Sequence, residues 1–331
     1  MRAIAWIGIC MAATAAAPVA AQQASVRFVV PAWAFPTAPA PTPASAPIPA
    51  FVPDTVILHH VPGSTRTFTV RHVVDRFDIP DWFPESHPPM PAPVQFGSRP
   101  AGWACGFCHL PDGQGRPENA TLAGLPAAYI RAQVAAFRDS TRLSANPVAS
   151  TNSMHLVARA VSERDIALAA DYFASLALRR RNRVREVSQV PRTRIAGNLY
   201  AYDGEGTEPI AGRLIEVPET LERHELRDPG VEYITYVPRG SIERGRRLAA
   251  DGPAGVATAC ATCHGPQLLG VALVPPIAGR SPSYILRQLM NIRTGARHDS
   301  ASVAMRPVVE RLSVDDMVAL AAYVGSLAPK R

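Results

Sequence analysis

The stretch Ala104-Cys105-Gly106-Phe107-Cys108-His109, ACGFCH, places two cysteines and a histidine within five residues, and ACATCH repeats the pattern from Ala259 to His264. Such a cluster can hold zinc, run thiol–disulfide exchange or anchor a haem, and the surrounding sequence separates the three. The pairs of a zinc ribbon lie about 15–20 residues apart. Here Cys260 follows Cys108 by 152 residues, so each pair would need two further ligands of its own. A redox C-x-x-C opens a helix after a strand, and no strand pattern precedes either motif. C-x-x-C-H is the c-type haem attachment signature. The two thiols add across the vinyl groups on one porphyrin edge, and the next residue then brings its imidazole over the ring to the iron.

Working outward, the two motifs head an internal repeat. An offset of 155 carries Cys105 onto Cys260, Tyr129 onto Tyr284, Gln133 onto Gln288, Arg138 onto Arg293 and Arg142 onto Arg297. The offset then drops to 151, aligning Met154 with Met305, Ser162 with Ser313, Asp165 with Asp316 and Tyr172 with Tyr323. Each copy reads as helical. PAAYIRAQVAAFRDS and SPSYILRQLMNIRTG space their apolar residues at helical intervals. SERDIALAADYFASL and SVDDMVALAAYVGSL begin with a serine cap and acidic first-turn residues. Their alanine-rich faces admit a close helix neighbour.

The repeat also nominates the sixth iron ligand. Met154 follows His109 by 45 residues and Met305 follows His264 by 41, each ahead of the serine-capped helix. His155 rivals Met154 in the first copy, but the second copy has Arg306 at that position. Met/His ligation raises the potential relative to bis-histidine ligation.

The chain has 331 residues and a formal net charge of +7, enough for two ordinary domains plus linkers. Arg2 followed by apolar residues 4–17 and the small residues Val19-Ala20-Ala21 reads as a signal peptide cleaved near Ala21, with Cys10 lost alongside it. The expected location is the periplasm, with no transmembrane helix in the mature chain and no nucleic-acid partner. Every remaining cysteine (Cys105, Cys108, Cys260, Cys263) then belongs to a motif.

Residues 22–89 form a proline-rich lead-in and an N-terminal arm, with eight prolines between 31 and 53. Within the arm, TVILHH and RTFTVRHVV look like strands. DWFPESHPPMPAP reads as an irregular cover, and His59, His60, His72 and His87 read as ordinary surface or core histidines. Residues 179–240 separate the copies and read as an irregular insert with some strand, which would either wrap the domains or form a docking face. Its start holds seven arginines between 179 and 194. These read as a solvated linker, or else as a patch for an acidic partner.

CGFCHLPDGQG…LAGLPAAYIRAQVAAFRDSTR and CATCHGPQLLG…IAGRSPSYILRQL…GAR, with the Met-plus-final-helix segments, resemble the class I cytochrome c domain, duplicated as in the dihaem cytochrome c4 type. The resemblance implies a mainly α fold of two tandem class I cytochrome c domains, at 90–178 and 241–331, with the irregular, β-containing insert between them. It implies two covalent haem c groups: thioethers at Cys105, Cys108, Cys260 and Cys263, and axial pairs His109/Met154 and His264/Met305. The function it implies is electron transfer between donor and acceptor proteins, an acidic or membrane-bound partner among them, each iron cycling between ferric and ferrous. A dihaem peroxidase, with one iron open to peroxide, and a cytochrome subunit of a membrane dehydrogenase or oxidase are the alternatives. One departure stands out. The family carries a proline shortly before the AG step, whose carbonyl steadies the proximal histidine. The second copy has Pro275-Pro276 there and the first has Ala120-Thr121, so a different carbonyl is expected to serve in the first copy.

Overall fold

The computed structural model describes residues 28–37, 54–146, 151–253 and 259–329. Residues 1–21, read above as a signal peptide, and most of the proline-rich lead-in lie outside them. The order is as follows: α1 (Val70–Val73), α2 (Ala92–Gln95), α3 (Cys105–His109), α4 (Ala127–Arg138), α5 (Thr151–Ala160), α6 (Glu163–Ser175), β1 (Asn182–Val187), β2 (Gln189–Ala196), β3 (Leu199–Pro209), β4 (Ile215–Pro218), α7 (Leu221–Glu225), β5 (Tyr233–Pro238), α8 (Ser241–Asp251), α9 (Cys260–His264), α10 (Pro282–Arg293), α11 (Arg306–Val309) and α12 (Val314–Ser326). The chain is mainly helical with a β-containing middle, as its sequence implies.

The repeat reappears as repeated hydrogen bonds. Gly115 N donates to the His109 carbonyl and Gly270 N to that of His264, both at 2.9 Å. Gly124 N reaches the Phe173 carbonyl at 3.1 Å and Gly279 N that of Val324 at 2.9 Å, which ties each AG turn to its final helix and spans the four-residue shift. Ser162 and Ser313 accept from the amides of Asp165 and Asp316, and the second forms a full capping box. These caps fix where α6 and α12 begin, and so which faces they bury.

The copies differ at their entry. The second opens with α8, whose Gly245 lies against the Ala319 backbone of α12; a Cβ there would fall 2.0 Å from the Ala319 oxygen. This is the close neighbour that the alanine-rich face admits. The first copy opens instead on α2 and the irregular arm. The arm's strand-like runs do not become strands. Only His59 and Phe68 form a bridge, α1 follows at once, and Val56, Ile57 and Leu58 stay exposed. A β-branched run without a neighbouring edge to pair with gains nothing from extension. What holds the arm is a small core of Val61, Val73 and Trp82 with Leu226 of the insert; the Trp82 indole donates to the Leu226 carbonyl at 2.9 Å.

The insert is ordered around two sheets. β5 is central, parallel to β1 and antiparallel to β4, and β2–β3 form a hairpin closed by Gly197-Asn198. Gly197 takes φ +60°, as a two-residue hairpin turn requires. β4 points Glu216 at the start of α10, where its carboxylate accepts from the Ser283 amide at 2.8 Å and from the Ser281 and Ser283 hydroxyls. The insert therefore caps a helix of the second copy while its other end packs on the arm.

Six of the seven arginines of the run are exposed, as a solvated segment would have them, but the segment is ordered and several are pinned. Arg179 pairs with Asp112, Arg180 donates to the Ser326 carbonyl, and Arg183 pairs with Glu232. Arg181 is buried, donating to the carbonyls of Val231 and Gly115. Arg179, Arg180 and Arg183 are exposed despite these contacts, as are Arg185 on β1 and Arg192 and Arg194 on β2.

Candidate haem sites

In the first copy, α3 presents Cys105, Cys108 and His109 to one wall of a cavity, and α5 presents Met154 to its lining. Leu122, Ile130, Val157, Ile166 and Phe173 make the interior apolar, and the space is about 1560 Å3 including its mouth. His155 is not in the lining; its Nδ1 lies 2.7 Å from the Phe137 carbonyl oxygen. The cavity thus brings together the four residues nominated for the first site and leaves the rival histidine out.

The His109 ring is fixed by its Nδ1, 2.7 Å from the Ala120 carbonyl oxygen, and that of His264 by Pro275 at 2.9 Å. The expectation of a different carbonyl in the first copy is corrected: the same position serves in both. The bond needs only a backbone oxygen, so replacing proline with alanine leaves it in place. This bond leaves Nε2 of each ring as the nitrogen that could ligate a metal. Burial pulls the His109 imidazole down to about 4 and shifts His264 in the same direction, so both rings are neutral near pH 7, the form a metal binds.

Burial pushes the Cys105 thiol up to about 12 and that of Cys260 up to about 11. Exchange chemistry needs the opposite shift, toward thiolate. Among the described residues, no group of three or more His, Cys, Asp or Glu side chains is placed to hold a metal ion. In the second copy, Cys260 and Met305 border the same core cluster, built on Leu286, Leu289 and Met290. Met305 ends a short 3-10 turn, Val303–Met305, whereas Met154 sits within α5.

The copies meet through a pseudo-twofold contact that the sequence left unassigned. Leu143 N donates to the Ala296 carbonyl at 2.7 Å, and His298 N to that of Thr141 at 2.9 Å, a pair exchanged by the 155-residue offset. Beside it, Arg142 donates to Gln133 at 2.6 Å and Tyr284 at 2.8 Å. Arg297 mirrors it, donating to Gln288 at 2.9 Å and Tyr129 at 3.2 Å. The symmetry breaks at Asp299, which pairs with Arg297 where the first copy has Ser144. Burial alone would raise the Tyr129 phenol, but Arg297 and Arg142 outweigh it and bring it below its ordinary value. The signal for this contact was present: polar Tyr, Gln and Arg recur at matched positions on helices that otherwise keep apolar residues in register.

This contact places second-copy residues in the wall of the first cavity, among them Tyr284, Arg287 and Gln288. The Arg287 Nε is buried and finds no hydrogen-bond acceptor. An apolar slot with two thiols, an imidazole and a thioether inside, and buried guanidinium groups at its edge, fits a haem with its propionates.

Comparisons with known proteins agree with this chemistry. Residues 243–328 match the family model described as Cytochrome c. The chain is 28% identical over 240 residues to the thiosulfate dehydrogenase electron acceptor of Stutzerimonas stutzeri (strain A1501), covering 72% of this chain and 85% of that protein. It is 27% identical over 229 residues to cytochrome c4 of Azotobacter vinelandii, covering 67% and 84%. Cytochrome c-554(548) of Halomonas halodenitrificans (strain ATCC 12084 / NCIMB 8669) is 33% identical over 68 residues, which are 20% of this chain and 82% of that one. The chain belongs to the cytochrome c family, as an electron-transfer cytochrome of the dihaem c4-like kind with covalently bound haem c.

Proposed function

We propose that Cys105 and Cys108 carry one haem and Cys260 and Cys263 the other, with His109/Met154 and His264/Met305 as axial pairs, in an exported periplasmic carrier that passes electrons between protein partners without catalysing a reaction. The bound haem supplies a one-electron store. The chain's own residues do the rest. The Ala120 and Pro275 carbonyls orient the two imidazoles, the apolar lining excludes water, and Arg142 and Arg287 are the cations available to propionates of the first haem. With Met154 and Met305 as sixth ligands, neither iron would offer a site to peroxide, which favours the carrier reading over the peroxidase one. No helix among the described residues is long and apolar enough to cross a membrane. A relative named as an electron acceptor for a dehydrogenase supports a redox protein as partner.

The observation that carries this reading is the shared cavity of Cys105, Cys108, His109 and Met154. Its test is the ferric absorption spectrum normalised to covalent haem, read at the weak long-wavelength sulfur-to-iron band. The wild type should show the band for both haems, and Met154→Leu and Met305→Leu should each remove half of it. One band for two haems in the wild type would leave one iron open, overturn the proposal and call for peroxide turnover assays.

A further inference from the structure

The 155-residue offset allows the same face to be compared in the two copies, and the two faces differ throughout. In the second copy Thr262, Cys263, Gln267, Val271 and Leu273 are exposed, with Leu273 65% and Val271 56% accessible. Their counterparts Phe107, Cys108, Asp112, Arg116 and Glu118 are all buried or half-buried.

The chain itself covers the first copy. Arg227 of the insert lies over the Phe107 ring, 3.7 Å from its centroid, and donates to the carbonyls of Phe107 and Val73. Arg179 pairs with Asp112, and His224 lies 3.3 Å from Glu118. Ile79 of the arm closes on Gly106, where a Cβ would come within 2.3 Å of the isoleucine Cδ1. Among the described residues, polypeptide therefore already occupies this face of the repeat in one copy and leaves it bare in the other.

The bare face is apolar and preformed. Residues 259–279 contain no Asp, Glu, Lys or Arg, whereas the first copy has Asp112, Arg116 and Glu118 in the matching loop, each engaged by the cover or a neighbour. Reciprocal backbone hydrogen bonds between Val271 and Val274, at 3.2 and 2.9 Å, fix the turn that holds Leu273 outward. A rigid apolar knob orders little on binding, and an uncharged face gains nothing from a charged partner.

We propose that the face around Cys263, Val271 and Leu273 is the docking surface for a one-electron redox protein that meets it with an apolar, uncharged patch around its own cofactor. The first copy, sealed by the arm and insert, exchanges electrons only through the second. In each encounter the donor loses one electron and this chain gains it, or the reverse with an acceptor. The inference rests on the carrier reading above.

The test uses the full haem-loaded chain and, as probe, a small blue-copper protein with an apolar patch around its copper. Stopped-flow spectroscopy gives the bimolecular transfer rate at low and moderate salt. Wild type should transfer with little salt dependence, and Leu273→Glu and Leu273→Lys should each slow it by about tenfold or more, because either charge is desolvated on docking. Both variants should keep the wild-type spectrum and potentials, and Val74→Glu on the exposed arm should change nothing. Several results would overturn the docking surface. These are unchanged rates in both Leu273 variants, one charge accelerating while the other slows, or a wild-type dimer in sedimentation that Leu273→Glu dissolves, which would make a second copy the occupant. A wild type that never exchanges with the probe would instead sink the carrier reading itself.

Discussion

Gly245→Ala separates a tightly packed helix pair from an open one, because the two give opposite signs. In an open helix interior, alanine is favoured over glycine by about 1 kcal/mol. Here the new methyl would lie 2.0 Å from the Ala319 oxygen, 2.6 Å from its carbonyl carbon and 2.7 Å from the Tyr323 Cβ. None of these atoms is the end of a flexible side chain. Restoring ordinary contact near 3.5 Å moves α8 off α12 by roughly 1.5 Å, and overpacking on this scale costs about 1–3 kcal/mol or more. The strain outweighs the propensity gain, so the variant should be less stable. Ala250→Gly, at an exposed position on the same helix, supplies the local propensity scale, an expected loss of about 1 kcal/mol. Guanidinium unfolding of the haem-loaded proteins, followed by far-ultraviolet dichroism and haem absorbance, gives both numbers. A Gly245→Ala protein as stable as wild type or more so would refute the close crossing and, with it, the account of why α12 is alanine-rich.

Two further outcomes test the cover over the first copy. Trp82 is 2% exposed and ties the arm to the insert, so Trp82→Ala should cost about 3–5 kcal/mol. It should also open residues 54–104 to limited proteolysis, whereas an arm as resistant as wild type would show that Leu226 is not its anchor. His87 gives a pH dependence. Burial lowers its pKa, but the hydrogen bond and charge of Asp81, 3.2 Å away, with Asp112 behind, outweigh burial and leave it raised. Tyr172, whose hydroxyl lies 3.0 Å from Nδ1, is the other ionisable group facing the ring. A raised histidine stabilises fully below its unfolded pKa of about 6.5 and ceases to do so as pH rises through the folded value. The stability gap between wild type and His87→Gln should therefore be widest in mild acid and narrow above that value; a gap independent of pH would exclude the Asp81 pairing.

The parts legible in the sequence were those set by local chemistry or by repetition. The motif spacing, the serine caps at Ser162 and Ser313 and the four-residue shift between copies all appear in the structure as hydrogen bonds. The contact between copies was not legible, although its residues were noted. Tyr129, Gln133 and Arg142 served only as markers of the repeat, because no sequence pattern says that a polar helix face will meet its own duplicate. The arm misled for the opposite reason. TVILHH has strand composition, but a strand needs an edge, and its neighbour along the chain turns into α1 instead. The proximal carbonyl shows a third kind of limit. The change from Pro275 to Ala120 is conspicuous in sequence and has no effect on the hydrogen bond, since every residue carries the acceptor.

The arginine run shows that a charged side chain can stay at the surface and still pin segments of the chain together. Arg179, Arg180 and Arg181 each donate to a backbone carbonyl in another segment, at Pro229, Ser326 and Val231, and Arg227 and Arg280 do the same at Val73 and Thr121. A guanidinium has five donors in a fixed fork and an apolar stem, so one side chain can hold two or three irregular segments that have no ladder of their own. An arm and insert laid over a helical domain need such pins, because their backbones satisfy few hydrogen bonds internally. Arg181 and Arg227 are thus directed into the chain, where they close the first copy, while Arg179, Arg180, Arg183, Arg185, Arg192 and Arg194 stay exposed.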